Sequence, residues 1–573
     1  MTALLALVAL APFEGGGRAA PTAEDVQALV GARHPDLAWA DLGDCAGAVR
    51  AFYAARAWQL AWVRDGAPTP QARAMARALE DAAARGLDPS DYDGARWAER
   101  LARFGREDPR PDDDAAARFD TALSVAALRY ASDLSGGRAA ARGARWRIPD
   151  PGRRDLPEAL LARLAEAPDV EAALAAIEPP AAAYRRTVAA LARYRRLAHE
   201  LDVAAPLPPV PTKVLPGATW PGVPWLAERL RALGDLAPEA EVPPGDAYDG
   251  AIVGAVQRFQ RRHGLQPDGA IGKETARQLS VPLATRVEQL ELALERWRWV
   301  PRSFGPPFVI VNIPEFRLYA SDGGDHHLTT KVVVGNAYRT KTPVFAAEIT
   351  HVIFRPPWNV PRSIQRNELA PKIARDPGIL ARDRYDLVDR SGRVVAPPPD
   401  LAAALRSGAL RLRQRPGAQS ALGTIKFLLP NAHDVYLHGT PSRRLFERPR
   451  RDFSHGCIRV EDPVALAVWM FRDRPDWPEA RIRAAMDGSG TLRVPLQRPV
   501  PILIVYATAV VAESGEVRFF DDLYGHDAAL RRELAARRAG EAAPRGRVIR
   551  PGTAPRSRSS PRRSRCATGR RRS

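Results

Sequence analysis

Three cysteines occur in the chain, and one of them, Cys457, stands in the run Ser454-His455-Gly456-Cys457, with a further histidine, His438, upstream. A thiol attacks a carbonyl carbon as the thiolate. A free cysteine, with a pKa of about 8.5, is ionised to only a few per cent at neutral pH unless a neighbouring group favours the anion. An imidazole, with an unperturbed pKa of about 6.5, can take the thiol proton and return it to a departing amine. These residue types suit acyl transfer through a thioester. Gly456 suits it too, because a residue without Cβ lets backbone N–H groups approach a carbonyl oxygen, as an oxyanion hole requires. A lone cysteine is ordinarily a small buried hydrophobe, and the neighbouring histidines are what set Cys457 apart.

Two histidines compete for the proton. His455 is so close in sequence to Cys457 that an extended or tight-turn backbone gives poor thiol–imidazole geometry. His438 ends a predicted strand that the fold can bring across, and it is the preferred base. Its other ring nitrogen needs an acceptor to fix the tautomer, which the Gly439 carbonyl could provide without any carboxylate. Ser454 and His455 are candidate substrate contacts beside the nucleophile, and Arg459 could clamp a substrate carboxylate through paired hydrogen bonds. Trp358 and Tyr436 either line a groove for an extended peptide or pack in the core. Arg443, Arg444, Arg448, Arg450 and Arg451 suit an anionic polymer or a solvated loop. Cys45, Cys457 and Cys566 are spaced neither as a zinc site nor as a disulfide framework, and no metal or cofactor is expected.

The 573 residues require several units, since a single core rarely serves more than about 250–300 residues. Residues 21–205 are rich in Ala, Leu and Arg with apolar positions three and four apart, which predicts a helical scaffold in which Trp58, Trp62 and Trp97 pack the core. Prolines from 206 to 224 mark a linker. Helices at 251–263 and 273–279, around the turn glycines Gly264, Gly269 and Gly272, fall in a small domain at 221–283, and another helix is expected at about 289–299. Over 300–530 the pattern turns to short β-branched runs (307–321, 330–336, 344–354, 434–439 and 499–511), predicting a mostly-β domain. It is interrupted by a long mixed insertion at 359–423, the length of a lid.

A net charge of +19 invites a nucleic-acid reading, but residues 531–573 carry 15 arginines against 2 acidic residues, so the body of the chain is close to ordinary. That stretch predicts a basic disordered tail, and nucleic acid is not expected as a partner. Residues 1–20 carry an apolar run too short to span a bilayer, followed by small residues. This predicts a secretory signal, export to the periplasm or cell envelope, and no membrane span in the mature protein.

His438, the fifteen residues 439–453, and then Ser454-His455-Gly456-Cys457 resemble the signature of the YkuD-type L,D-transpeptidases. The form Gly456-Cys457-Ile458-Arg459-Val460, with Arg459 where the family often has Asn, is similar to the large multidomain members, as are RTKTPVF (339–345), FRPPWNVPRSI (354–364) and 421–441. Ala255-Val256, Phe259-Gln260, Gly264-Leu265, Asp268-Gly269, Ile271-Gly272 and Thr275 resemble the three-helix peptidoglycan-binding domain, which could bind glycan or stem peptide or only position its neighbour. The resemblance implies a multidomain α+β protein: an all-α N-terminal scaffold, the peptidoglycan-binding domain, and a mostly-β catalytic domain with a mixed lid. It implies that Cys457 attacks the third residue of a peptidoglycan stem tetrapeptide, expels D-Ala and passes the acyl group to a diaminopimelate-type amine, giving a 3→3 crosslink. Carbapenem β-lactams are implied as covalent inhibitors. Water as acceptor would make it a carboxypeptidase or another cysteine hydrolase of stem peptides; a wall-binding protein without catalysis would leave Cys457 and His438 unexplained.

Overall fold

The computed structural model describes residues 22–104, 113–139, 157–201, 206–210, 212–242 and 245–538. The expected signal at 1–20 and most of the basic tail lie outside them. Helices Ala46–Ala55, Pro70–Glu80, Asp113–Gly136, Pro157–Ala165 and Val170–Ile177 bury their apolar stripes against one another, with Phe52, Met75, Leu123, Leu161 and Leu174 in one core. Trp62 and Trp97 are fully enclosed there and Trp58 lies on its margin, so these rings pack the scaffold.

The last scaffold helix, Ala182–Leu201, belongs to a second core. Tyr184, Leu191 and Tyr194 meet Leu226, Leu230, Ile252 and Phe259 of a three-helix unit made of Val223–Leu233, Ala251–Arg262 and Lys273–Leu279. The helix expected at 289–299 runs from Leu283 to Trp297. It starts earlier because Pro282 stands at its N-terminal cap, where a missing N–H costs nothing. The three-helix unit also docks on a hairpin near the C-terminus, Ala509–Val511 and Val517–Phe519. Arg277 pairs with Asp521 at 2.7 Å, Gln278 donates to the same carboxylate at 2.8 Å, and His263 stacks towards Phe519.

The C-terminal half is built on nine strands: β1 (Phe308–Asn312), β2 (Arg317–Ser321), β3 (His327–Gly335), β4 (Phe345–Phe354), β5 (Ile425–Leu428), β6 (Leu437–His438), β7 (Asp452–Ser454), β8 (Ile458–Val460) and β9 (Leu492–Val505). Their order is β7-β3-β8-β6-β5-β4-β9-β1-β2, and a further β2–β3 pairing closes the sheet on itself. One side carries Val309, Val332, Val352, Phe354, Phe427 and Leu437, which pack with helices Pro463–Met470 and Glu479–Asp487. The insertion between β4 and β5 folds as its own small unit. It is a four-stranded sheet (358–359, 411–414, 385–388 and 394–395) with short helices around Val360, Ile373, Leu387, Leu405 and Leu412.

The chain stays ordered beyond the expected start of the tail: helix His526–Arg538 runs eight residues into 531–573. Leu530 and Leu534, four apart, bury against Ala139 and Leu292, so an apolar stripe hidden among arginines docks this segment. Residues 539–573 lie outside the described residues.

Candidate active site

β6 and β8 are parallel neighbours, with Leu437 opposite Ile458 and His438 opposite Arg459. Side chains alternate along a strand, so Leu437, Ile458 and Val460 enter the core while Tyr436, His438, Cys457 and Arg459 share the other face. β5 sets Lys426 directly beside His438 on that face. Arg459, His438 and Lys426 therefore form one row across three strands, and Cys457 with Tyr436 forms the next.

His438 is 4% exposed, and its Nδ1 lies 2.5 Å from the Gly439 carbonyl oxygen. A carbonyl only accepts, so Nδ1 carries the hydrogen and Nε2 keeps its lone pair. Burial pushes the imidazole down to about 3, the charges of Arg459 and Lys426 add to this, and the Gly439 and Leu422 carbonyls oppose it. His438 is thus a neutral imidazole held in one tautomer. The support behind it is tight: at Gly423, with φ 62°, an added Cβ would lie 2.8 Å from the Gly439 carbonyl carbon and the Thr440 nitrogen. Gly423→Ala is expected to destabilise the fold by about 1–3 kcal/mol in urea unfolding, from a strained backbone and a displaced Gly439.

Cys457 is partly buried, and its Sγ makes a 3.7 Å hydrogen bond to the Asp434 carbonyl rather than to His438. Catalytic hydrogen bonds commonly tighten only with substrate in place. Burial raises the thiol pKa, against hydrogen bonds from the Tyr436 backbone and hydroxyl and the charge of Lys426. The resting pair is a neutral thiol and a neutral imidazole. Tyr436 thus stands at the thiol, and Trp358, the first residue of the insertion's small sheet, acts on the Tyr436 hydroxyl rather than on Cys457.

The turn carrying Cys457 is held from below. Ser454, expected at the substrate, is instead 4% exposed; its hydroxyl donates to the Cys457 carbonyl at 2.5 Å and accepts from the Gly456 amide at 3.1 Å. It shapes the turn because a small hydroxyl can bridge both strands of so short a loop. Gly456 takes φ 114°, a conformation that side chains with Cβ rarely adopt, and its carbonyl accepts from Thr342 at 2.8 Å. The Gly456 amide is thus already committed, whereas among the described residues the Cys457 amide makes no hydrogen bond to the protein. His455 points away from the thiol to Glu368 of the insertion, Nε2 to carboxylate 2.6 Å.

Lys426, Gly423, Thr342 and Glu368 were not legible as site residues. Lys426 had a signal, a lysine alternating with Ile425 and Phe427 in a short apolar run; Glu368 had none, because only the docked insertion brings it near. Arg443 donates to the Glu461 carbonyl, Arg451 is 8% exposed among the carbonyls of Val332, Arg448, Pro449 and Phe316, and Arg450 pairs with Asp452. These arginines brace the loop. Among the described residues, no helix is long and apolar enough to cross a membrane, and no three or more His, Cys, Asp or Glu side chains gather as a metal site would require.

Residues 306–480 match the family described as "L,D-transpeptidase catalytic domain" (YkuD), 220–279 the "Putative peptidoglycan binding domain", and 47–191 the "Scaffold domain". A curated relative from Haemophilus influenzae, named "Putative L,D-transpeptidase", is 34% identical over 241 residues, 42% of this chain and 48% of that protein. The aligned part thus spans about half the relative's length. An L,D-transpeptidase structure from Xylanimonas cellulosilytica aligns over 52% of this chain and 100% of its own at 17% identity, with a TM-score of 0.17. One from Stackebrandtia nassauensis aligns over 53% and 97% at 12% identity, with a TM-score of 0.21. The chain therefore carries a YkuD-type L,D-transpeptidase catalytic domain, preceded in order by a scaffold domain and a domain of the peptidoglycan-binding type.

Proposed function

We propose that the protein is a cysteine-dependent L,D-transpeptidase of the cell envelope that forms 3→3 peptidoglycan crosslinks with release of D-Ala. The observation that carries this reading is the single sheet face on which Cys457 lies beside Tyr436, and His438, tautomer fixed by Gly439, lies one row on. The Cys457 thiol gives its proton to His438 Nε2 as sulfur attacks the carbonyl of the third stem residue. The oxyanion is met by the Cys457 amide and the Tyr436 hydroxyl. His438 then protonates the departing D-Ala nitrogen, and the C–N bond breaks. The acyl group waits as a thioester until an amine from a second stem displaces sulfur, its proton passing to the same Nε2. The same thiol is the expected target of carbapenems.

The test is mass spectrometry of the purified chain, wild type and Cys457→Ala, incubated with disaccharide-tetrapeptide. A dimer joined 3→3 with loss of D-Ala from wild type alone supports the proposal. Tripeptide without dimer would turn the reading to a carboxypeptidase, and products from the alanine variant as well would remove it. Because His438 is held down to about 3, it remains neutral well below the ordinary histidine range. The acid limb of kcat/KM is therefore expected near that value, with no inflection around pH 6.5. A profile measured from pH 4 to 9 that halves near 6.5 would contradict the assigned base.

A further inference from the structure

Lys426 and Arg459 stand on either side of His438, each the direct cross-strand partner of that residue. Neither is paired with a carboxylate among the described residues. Arg459 Nε is buried without a hydrogen bond, and Lys426 Nζ rests on the Tyr436 ring, 3.6 Å from its centroid. Asp434, the acidic group that Lys426 senses, is itself exposed. Keeping two unpaired cations half buried is costly unless an anion arrives to meet them.

We propose that Lys426 and Arg459 form a carboxylate seat flanking the base, which selects amines bearing a carboxylate on the same carbon, first as leaving group and then as acceptor. The inference rests on the thioester reading above and names the acceptor class within it. As the S–C bond forms and the C–N bond breaks, His438 Nε2 hands its proton to the leaving nitrogen, which must therefore lie within hydrogen-bond reach of that atom. In D-alanine the carboxylate is one carbon from this nitrogen, so it falls beside His438, where the two cations are. The acceptor nitrogen later occupies the same place: it attacks the thioester, its proton passes to Nε2, the C–N bond forms, the C–S bond breaks and the thiolate recovers the proton. The D-centre of diaminopimelate holds amine and carboxylate on one carbon, as D-alanine does. One seat then serves both half-reactions. A lysine side-chain amine or a water molecule offers the cations nothing.

The experiment is a competition with the full-length protein. Disaccharide-tetrapeptide is the donor, and D-methionine and its decarboxylated counterpart, 3-(methylthio)propylamine, are present together at equal free-amine concentration. The ratio of the two products, read by mass spectrometry, depends only on how the thioester is resolved and not on how fast it forms. Wild type is expected to favour D-methionine by about 10- to 100-fold, the range for hydrogen bonds to a charged group. Lys426→Met and Arg459→Met should each move the ratio towards unity, and Arg459→Lys should restore part of it. Equal use of the two amines by wild type overturns the seat even if no variant folds, and so does an unchanged ratio in folded variants. If wild type releases no D-alanine in this mixture, the thioester reading itself fails, and the seat with it.

Discussion

Cys457→Ser is expected to leave a folded protein that releases D-alanine from tetrapeptide at least about 10⁴-fold more slowly than wild type, the scale seen when a nucleophile is removed from a coupled site. The oxygen would occupy the same half-buried slot and can still donate to the Asp434 carbonyl, so packing is spared. The chemistry is not. A hydroxyl is far less acidic than a thiol, and His438, pushed down to about 3, is too weak a base at rest to close the larger gap. The check is donor loss and intact-protein mass on the same samples, with wild type showing the acyl adduct and the serine variant none. Turnover within tenfold of wild type would place the nucleophile elsewhere.

His438→Gln should cost about 10²–10⁴-fold in kcat/KM, the usual contribution of a positioned acid/base. A glutamine amide can still donate to the Gly439 carbonyl in place of Nδ1, so the strand end need not move, but it accepts no proton. The variant's thiol must then ionise to solvent, and its pKa is raised by burial. Activity in the variant is therefore expected to climb about tenfold per pH unit from neutrality towards that raised value, whereas wild type stays flat. A flat profile in the variant would show that the proton goes to another group. An alkylation rate measured with a small haloacetamide across the same range would report the thiol directly and separate its ionisation from binding of the peptide.

Residue type singled out Cys457 and His438 as candidates; position in three dimensions did not follow. The spacing from His438 to Cys457 shows that a histidine could return to the thiol, but the parallel register of a two-residue strand decides that Arg459 stands opposite His438 and Tyr436 one step back. Lys426 completes that row only because β5 lies between β4 and β6, a sheet order that alternation along single strands does not carry. In sequence Ser454 neighbours the thiol and looks like a substrate contact, whereas in the fold its hydroxyl is spent on the turn. The helical scaffold was the easiest part, since a period near 3.6 is local. The helix reaching Arg538 was hidden for the opposite reason: counting arginines missed two leucines four residues apart that dock it.

The docking of the three-helix unit on the late hairpin sets an order on how the chain matures. Arg277 and Asp521 are 244 positions apart, and Arg262 reaches the Val517 carbonyl across 255. At synthesis rates of about 5–20 residues per second, the earlier partner waits on the order of 12–50 s for the later one to leave the ribosome. Throughout that interval Phe259 and His263 lack the aromatic cover of Phe519, and the unit's core stays open on one side. High sequence separation of this kind delays the final lock of a fold. The module thus becomes rigidly seated only after Cys457, at position 457, has itself been made, so that thiol is never presented on a finished foundation before the whole sheet exists.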